Sequence, residues 1–274
     1  MVYSHIKLVR EVRLTFSNKM KDVYVRLVDS MPQTNLDAAI VQAARVSYAN
    51  SGSEKPGRTE EGLIRYLMRH SHNTPFEMVE FKFYIKMPIF VARQHFRHRT
   101  ASINEISARY SRIEEEFFVP EEYRSQSTIN KQSSEDPIQL DRNPQIVSCS
   151  AAFDVYNQLL EQGCSRELAR CHLPQSTYTE FFWKINLHNL MHYLRLRMAP
   201  DAQQEIREYA QAIFECVKPL APLTMQAFVD FRVNAITLSG PEVESLRTGV
   251  PMKSPGERRE LEEKKKLMWR FQCT

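Results

Sequence analysis

Glycine is scarce in this sequence. Only seven glycines occur among 274 residues, and no two of them form Gly-x-Gly. A Rossmann phosphate turn and a P-loop both need backbone positions that only glycine fills without strain. The sequence therefore excludes both kinds of phosphate-binding loop. If the protein binds a phosphorylated molecule, side chains must hold the phosphate.

Long apolar runs and paired cysteines are missing as well. The longest apolar candidate, residues 87–92, is far shorter than the roughly 20 residues of a membrane-spanning helix. The N-terminus has no apolar signal core. The five cysteines are widely spaced without Cys-x-x-Cys, which predicts reduced thiols rather than a disulfide framework or a zinc ribbon. We expect a soluble, cytoplasmic protein that has no membrane partner.

The charge is nearly balanced. The chain has 37 basic and 33 acidic residues, and its formal net charge is +4. This excess is too small to indicate a nucleic-acid partner, and no aromatic stripe of the RNA-recognition type is present. An RNA-binding module remains an alternative for an arginine-rich segment described below, but we expect no nucleic acid.

Hydrophobic periodicity predicts alternating strands and helices. Residues 79–87 alternate apolar and polar side chains, which is typical of a half-buried strand. Residues 124–145 are polar and are expected to form an exposed loop. A helix is predicted from a capping box at Ser254 and Glu257, with supporting pairs Glu260–Lys264 and Glu262–Lys266. The other predicted elements are strands at 23–30 and 176–185, and helices at 35–48, 59–70, 88–98, 146–162, 165–172, 186–198 and 202–218.

The densest polar segment is residues 93–112. It contains five arginines, no lysine and the single acid Glu105. Arg93 and Arg97 are i,i+4 neighbours on the predicted helix. Planar guanidinium groups suit bidentate recognition of phosphate and carboxylate. A loop rich in small hydrogen-bonding residues is expected to follow: Thr100, Ser102, Asn104, Ser107 and Ser111. The segment therefore predicts a pocket for a phosphorylated, hydrogen-bonding ligand.

These residues also carry a family resemblance. RHRTASINEIS at 97–107 resembles the signature of the flavin-dependent thymidylate synthases, which is Arg-His-Arg, seven residues and Ser. Further similar segments follow in the family's order: AARVSY (43–48), HNTPFE (72–77), PIFVARQ (88–94), ELARCHLP (167–174), YTEFFWKIN (178–186) and LRLR (194–197). The resemblance covers residues 23–233 with the exception of segment 124–145, and it does not extend to the C-terminal tail. It implies an α+β fold, with a mainly antiparallel sheet and packed helices in a single catalytic domain at 1–233. Residues 234–274 would form a C-terminal extension that is helical in part.

The resemblance implies an activity and its partners. The family methylates dUMP to dTMP with 5,10-methylenetetrahydrofolate as carbon donor, and FAD carries hydride from NADPH. The expected partners are dUMP, the folate and further copies of the chain, because the family forms homotetramers with shared active sites.

The resemblance also implies the dUMP-binding residues. Arg197 is assigned the catalytic role, because a permanent cation beside the uracil ring stabilises negative charge and makes C5 more nucleophilic. The implied dUMP-binding residues are Arg93, Gln94, Arg97, Glu105, Ser107, Ala108, Arg109, Arg170 and Arg197.

A second set of residues is implied for FAD. They are Ser47, His72, Thr74, Arg97, His98, Arg99, Asn104, Glu105, Asn186, His188 and His192. His72 is also a candidate for the folate. His188 and His192 stand where other members carry Arg or Asn, and Ala108 stands where Gly also occurs. Asp201 stands where His occurs, and it receives no role. Asn186 and Arg197 are expected to lie along one line of one helix.

Three chemical alternatives compete with this interpretation. A zinc site could use His188 and His192, or His95 and His98, because each pair has helical ligand spacing. Cys171, next to His172, could act as a nucleophile, and so could Ser107. No His-Glu-x-x-His occurs and no cysteine pair lies nearby, so we expect no metal. A small helical thiol is more often core filling, and hydrogen bonding to phosphate suffices for Ser107.

Overall fold

The computed structural model describes residues 10–14, 23–48, 59–128 and 133–270. The chain divides into two compact units, residues 1–228 and 229–274. The strands are β1 (Arg10–Leu14), β2 (Val23–Met31), β3 (Glu80–Pro88), β4 (Ser102–Glu105), β5 (Tyr123–Gln126), β6 (Ser134–Ile138) and β7 (Tyr178–Asn186). The helices are α1 (Leu36–Arg45), α2 (Glu60–Arg69), α3 (Thr74–Glu77), α4 (Ile89–His95), α5 (Asn143–Glu161), α6 (Arg166–Ala169), α7 (Leu187–Arg197), α8 (Gln204–Val217), α9 (Pro222–Phe228), α10 (Gly240–Thr248) and α11 (Pro255–Arg270).

A five-stranded sheet organises the first unit within the described residues. Its strand order is β1-β2-β3-β7-β4, and each neighbouring pair is antiparallel. β3 and β7 pair along nine residues, from Glu80↔Asn186 to Pro88↔Tyr178. This sheet and its packed helices confirm the predicted α+β class. The edge strand β4 falls where the sequence indicated a loop, because its backbone pairs with β7.

The central strand β3 is buried on both faces over most of its length. Phe83 packs against Trp183 of β7, with ring centroids 5.8 Å apart. The prediction of a half-buried strand is wrong for Tyr84 and Lys86, which are also buried. Tyr84 donates to Glu180, and Lys86 forms an ion pair with Glu116. Partner side chains thus satisfy polar groups that would otherwise need water.

Helix α4 ends earlier than predicted. It stops at His95 rather than residue 98, so Arg97 lies in a turn and does not share a helical face with Arg93. The His98 amide donates to the His95 carbonyl at 3.1 Å, an i→i−3 bond that tightens the chain. This turn places the His95 and His98 side chains inside the protein. Pro88, predicted in the first helical turn, is the last residue of β3.

Two of the predicted helix boundaries are confirmed. The Thr59 side chain accepts a hydrogen bond from the Gly62 amide at 3.1 Å and begins α2. Gly163 follows α5 with a φ of 83°, a conformation that favours glycine. Asn35 and Ser165 are the first residues of the predicted helices 35–48 and 165–172, and in the structure they are the N-caps of α1 and α6, but neither side chain makes a capping hydrogen bond.

Segment 124–145 is not the continuous loop that the sequence predicted. β5 and β6 pair antiparallel within it, with Arg124 opposite Pro137. The Arg124 Nε donates to Ser134 Oγ at 2.9 Å, and its guanidinium forms an ion pair with Glu205 of α8. These tertiary contacts explain why a polar segment without a hydrophobic pattern adopts strands.

A buried carboxylate joins α1 to α9. Asp37 accepts hydrogen bonds from the amides of Leu223 and Thr224 at 2.9 and 3.0 Å, and from the Thr224 hydroxyl at 2.5 Å. Asp37 is 8% exposed and Thr224 is fully buried. The carboxylate thus satisfies amides in the first turn of α9, which have no partner within the helix.

The second unit begins with a π-helical turn, Val229–Val233. The predicted capping box at Ser254 and Glu257 is confirmed by two hydrogen bonds of 3.4 Å. The predicted pairs within α11 are wrong. Lys264 bonds instead to Glu242 of α10 at 2.7 Å, and Glu262 pairs with Lys265 at 2.7 Å. Glu242 is 4% exposed, and a buried carboxylate without a partner would be costly. The predicted boundary at 233/234 stays a prediction.

In the described ranges, no helix combines the length and the apolar character that crossing a bilayer requires.

Candidate active site

Arg197 joins the end of α7 to the arginine-rich segment. Its Nε donates to Nε2 of His98 at 3.0 Å, and its Nη2 donates to the main-chain oxygen of Gln94 at 3.3 Å. The Arg197 side chain is half-buried. Two bonds from different atoms of one planar group restrict its rotation, so the remaining guanidinium edge has a defined direction.

His98 accepts the Arg197 bond as a neutral ring. Burial, the Arg197 guanidinium and nearby His192 lower the pKa of His98 to about 4. The ring is therefore uncharged at neutral pH. Because Nε2 accepts from Arg197, the ring proton must lie on Nδ1. A protonated His98 would lose the acceptor and place a second cation beside Arg197.

A cluster of aromatic rings packs against the buried side of His98. Its ring meets Tyr193 edge-on, with centroids 4.8 Å apart. The Tyr193 hydroxyl lies 3.0 Å from His95 Nδ1, and His95 meets Trp183 edge-on at 4.3 Å. Burial lowers the pKa of His95 to about 3, so this ring is neutral as well. The sequence indicated His95 only as a possible zinc ligand and gave no prediction for Tyr193. The available signal was that Tyr193 precedes Arg197 by four helical residues.

β4 holds Glu105 at the edge of the sheet. The Thr179 hydroxyl donates to Glu105 Oε1 at 2.6 Å, and the next amide, that of Ile106, donates to the Glu180 carbonyl at 2.9 Å. Thr179 is buried on β7, so the strand pairing fixes the Glu105 carboxylate. The neighbouring Asn104 is exposed.

The turn after β4 carries three further predicted residues. The amide of Arg109 donates to Ser107 Oγ at 3.3 Å, and half-buried Ala108 lies between them. Arg109 reaches Glu167 of α6 at 3.6 Å, although both side chains are 55% exposed. An ion pair this exposed is weak and can be exchanged for a ligand. Through this contact α6, which Arg170 directly follows, lies beside the turn.

Several arginines here are available for an anionic ligand. Arg93, Arg97, Arg99 and Arg170 are all exposed, and none forms an ion pair within the part of the chain that the structure describes. Guanidinium groups without a carboxylate partner can bind phosphate with charge-assisted hydrogen bonds.

Some of the residues predicted for FAD lie towards the other end of α7. α3 packs against both α1 and α7, which places Ser47, just after α1, and Thr74, the first residue of α3, near that end. His72 precedes α3 and stacks on Tyr66 at 5.8 Å. His188 is half-buried in the first turn of α7, and His192 is exposed.

The predicted alignment of Asn186 with Arg197 is wrong. Asn186 is the N-cap of α7 with extended backbone, and its Oδ1 accepts from the Asn189 amide at 2.9 Å. Helical rotation therefore does not reach Asn186. The two residues mark opposite ends of α7, whose axis rises about 15 Å from Leu187 to Arg197 at 1.5 Å per residue.

The chemical alternatives concern a zinc site and the nucleophiles Cys171 and Ser107. The described ranges hold no cluster of three or more His, Cys, Asp or Glu side chains that could bind a metal. The Cys171 thiol donates to the Glu167 carbonyl at 3.8 Å, a back-bond within the α6 region. The Ser107 hydroxyl accepts from Arg109, and no histidine contact is found for it among the described residues.

The fold and the site together define an α+β protein with an arginine-rich site at one sheet edge. A sequence model of the family described as "Thymidylate synthase complementing protein" matches residues 26–223. A flavin-dependent thymidylate synthase of Dictyostelium discoideum is 47% identical over 258 residues, covering 89% of this chain and 84% of the relative. One of Thermus thermophilus is 53% identical over 227 residues, covering 82% of each chain.

A solved structure agrees with these relatives. The UMP/dUMP methylase PolB of Streptomyces cacaoi, bound with 5-Br dUMP, superposes with a TM-score of 0.68 at 36% identity. The match covers 78% of this chain and 97% of PolB. The chain belongs to the flavin-dependent thymidylate synthase family, which confirms the resemblance seen in its sequence.

Proposed function

We propose that this protein methylates dUMP to dTMP. Its carbon donor is 5,10-methylenetetrahydrofolate, its hydride carrier is FAD, and NADPH reduces the flavin. Family membership supports the flavin and the thymidylate product. The similarity to a methylase bound with 5-Br dUMP supports the nucleotide substrate.

The observation that carries the proposal is the restrained Arg197. Neutral His98 and the Gln94 carbonyl hold two of its nitrogens, which leaves the other edge of the guanidinium for a ligand. Placed against a uracil carbonyl, this cation stabilises the negative charge that develops as C5 attacks carbon. A fixed donor does this without reorganising during the reaction. No covalent protein nucleophile is required.

The arginines at the edge of the sheet bind the phosphate of dUMP. Exposed Arg97 and Arg170 have no carboxylate partner in the described part of the chain, and Arg109 exchanges its exposed bond to Glu167 for the phosphate. Ser107 adds a hydroxyl donor. The Glu105 carboxylate, fixed by Thr179, serves as an acceptor for nucleotide hydroxyl groups. The remaining dUMP contacts are Arg93, Gln94 and the Ala108 backbone.

The residues near α3 and α7 fit a flavin dinucleotide. Arg97 and Arg99 supply cations for its pyrophosphate in place of a glycine loop. Hydroxyl, amide and imidazole groups complete the set: Ser47, His72, Thr74, His98, Asn104, Glu105, Asn186, His188 and His192. These residues would hold FAD, and the bound flavin would supply the hydride chemistry of the reaction, with NADPH as the proposed reductant.

We further propose a cytoplasmic homotetramer with shared active sites. Many of the predicted ligand-binding side chains, such as Ser47, His72, Thr74 and Arg99, are exposed in the single chain. A neighbouring copy that covers them would exclude water from the reacting groups.

Arg197→Ala tests the proposal, with Arg195→Ala as the matched control. Arg195 is an exposed arginine of the same helix. We expect the wild-type holoprotein to show flavin absorbance, to oxidise NADPH in a dUMP-dependent manner and to produce dTMP. Arg197→Ala should lower kcat about 100-fold or more, the scale of losing one donor to a developing charge, while flavin stays bound. Arg195→Ala should retain turnover. A colourless protein, or equal activity in both variants, would refute the proposal.

Arg97→Ala tests whether one guanidinium serves both ligands. We expect weaker FAD retention in gel filtration and a raised Kd for dUMP. Normal values for both would exclude the shared role.

A further inference from the structure

A chain of four side chains leads from Gln94 to the β5–β6 hairpin. Gln94 Nε2 donates to Gln203 Oε1. Gln203 Nε2 donates to Glu205 Oε2 at 2.8 Å, and the other Glu205 oxygen accepts from Arg124 at 2.5 Å. Neither Gln203 nor Arg124 belongs to the predicted site, and the hairpin lies in a segment that the family resemblance leaves without support.

The chemistry of Glu205 fixes the direction of this chain. An ionised carboxylate accepts hydrogen bonds and cannot donate them. Gln203 must therefore present its NH₂ group to Glu205, which leaves its carbonyl oxygen for Gln94. Gln94 must in turn present its NH₂ group to Gln203. Only one orientation of each amide then satisfies every bond, although an isolated amide could rotate by 180°.

The Arg124–Glu205 pair makes this arrangement durable. Glu205 is 5% exposed, and a buried carboxylate needs a cation and further donors to offset its lost hydration. Arg124 is itself fixed by its Nε bond to Ser134 across the hairpin. Ser133 of the same segment donates to the Asp201 carbonyl at 2.8 Å. The hairpin is thereby attached to the stretch that connects α7 and α8.

We propose that Gln203, Glu205 and Arg124 are positioning residues that orient the Gln94 amide towards the nucleotide. Gln94 then offers the nucleotide its carbonyl oxygen and one remaining N–H. The oxygen accepts from one of the two donors of dUMP outside its phosphate, the ring N3–H or the 3′-hydroxyl. The Gln94 main chain also accepts a hydrogen bond from Arg197. The contacts of the Gln94 amide and of the Arg197 guanidinium with the nucleotide therefore both depend on the position of Gln94. This inference rests on the proposed function, since it requires dUMP as ligand.

Gln203→Leu tests the orientation, with Gln204→Leu as the matched control. Gln204 is the next residue, and its Nε2 donates to Glu208 at 3.0 Å, outside the chain. The readouts on holoprotein are the Kd for dUMP by calorimetry and kcat/KM for turnover, with flavin content and Tm as folding controls. We expect Gln203→Leu to weaken dUMP binding about ten-fold, the effect of one misdirected hydrogen bond. Gln204→Leu should stay within about two-fold. Equal effects of the two variants would overturn the inference.

A double-mutant cycle separates orientation from general damage. If Gln203 acts through Gln94, then Gln203→Leu should add less than about two-fold to the loss already caused by Gln94→Ala. Additive losses would overturn the inference. The double variant Arg124→Met with Glu205→Met removes both charges and should keep the fold, because no unpaired charge remains. It should nevertheless weaken dUMP binding as much as Gln203→Leu does. Wild-type protein that binds dUMP without turnover would contradict the proposed reaction but would leave this cycle decisive.

Discussion

Replacing Asp37 by alanine should destabilise the protein strongly without touching the site. The carboxylate accepts from the Leu223 and Thr224 amides and from the Thr224 hydroxyl. Alanine would leave three donors without an acceptor, and Thr224 is fully buried. Water cannot reach it without opening the contact between α1 and α9.

The magnitude follows from what remains unpaired. A buried donor left without a partner costs about 1–3 kcal/mol. Half-buried Leu223 can recover part of its loss from water, so we expect Asp37→Ala to lower the free energy of unfolding by about 3–5 kcal/mol. Thr224→Val removes only the hydroxyl donor and should cost about 1–2 kcal/mol. The cost of Asp37→Asn should lie between those of Asp37→Ala and Thr224→Val. The asparagine oxygen can still accept a hydrogen bond, whereas its NH₂ group would face another donor.

Urea unfolding of the holoprotein at fixed concentration measures these differences. Asp154→Ala is the matched control, because Asp154 is an exposed aspartate of α5 and should change stability by about 0.5 kcal/mol or less. If Asp37→Ala unfolds at the urea concentration of the control, the three hydrogen bonds carry no net stability and the reasoning is wrong.

Three further outcomes are expected. Burial sets the pKa values of His95 and His98 at about 3 and 4, below the ordinary 6.5, so the unfolded chain binds more protons in between. The free energy of unfolding should be at its full value above pH 6.5 and should fall by up to about 1.4 kcal/mol per histidine for each pH unit below it. A free energy of unfolding that stays constant between pH 6.5 and 5 would contradict the buried neutral rings. Thr59→Ala should cost about 1 kcal/mol through the lost cap of α2, and an unchanged urea midpoint would disprove that contribution. Gly163→Ala should cost about 1 kcal/mol, because alanine is strained at a φ of 83°; a gain in stability would show that the backbone relaxes.

Local chemistry in the sequence determined much of the architecture. Apolar periodicity located β2, β7, α7 and α8 to within a few residues, because each of these elements buries one face. Thr59 and Gly163 marked helix ends through bonds and backbone angles that depend only on neighbouring residues. The scarcity of glycine and the arginine cluster at 93–112 indicated a phosphate site built from side chains, and the family motifs identified the relatives.

Contacts between distant residues were decided only by the tertiary structure. No local pattern shows that the Lys86 side chain is buried, since its ion pair joins it to Glu116, thirty residues away. The hairpin at Arg124 is joined to α8 through Glu205, which supplies the opposite charge. The His98–Arg197 bond depends on a turn after α4 meeting the end of α7, across ninety-nine residues. Periodicity describes which face of an element is apolar, whereas the partner of a buried polar group depends on which elements the fold brings together.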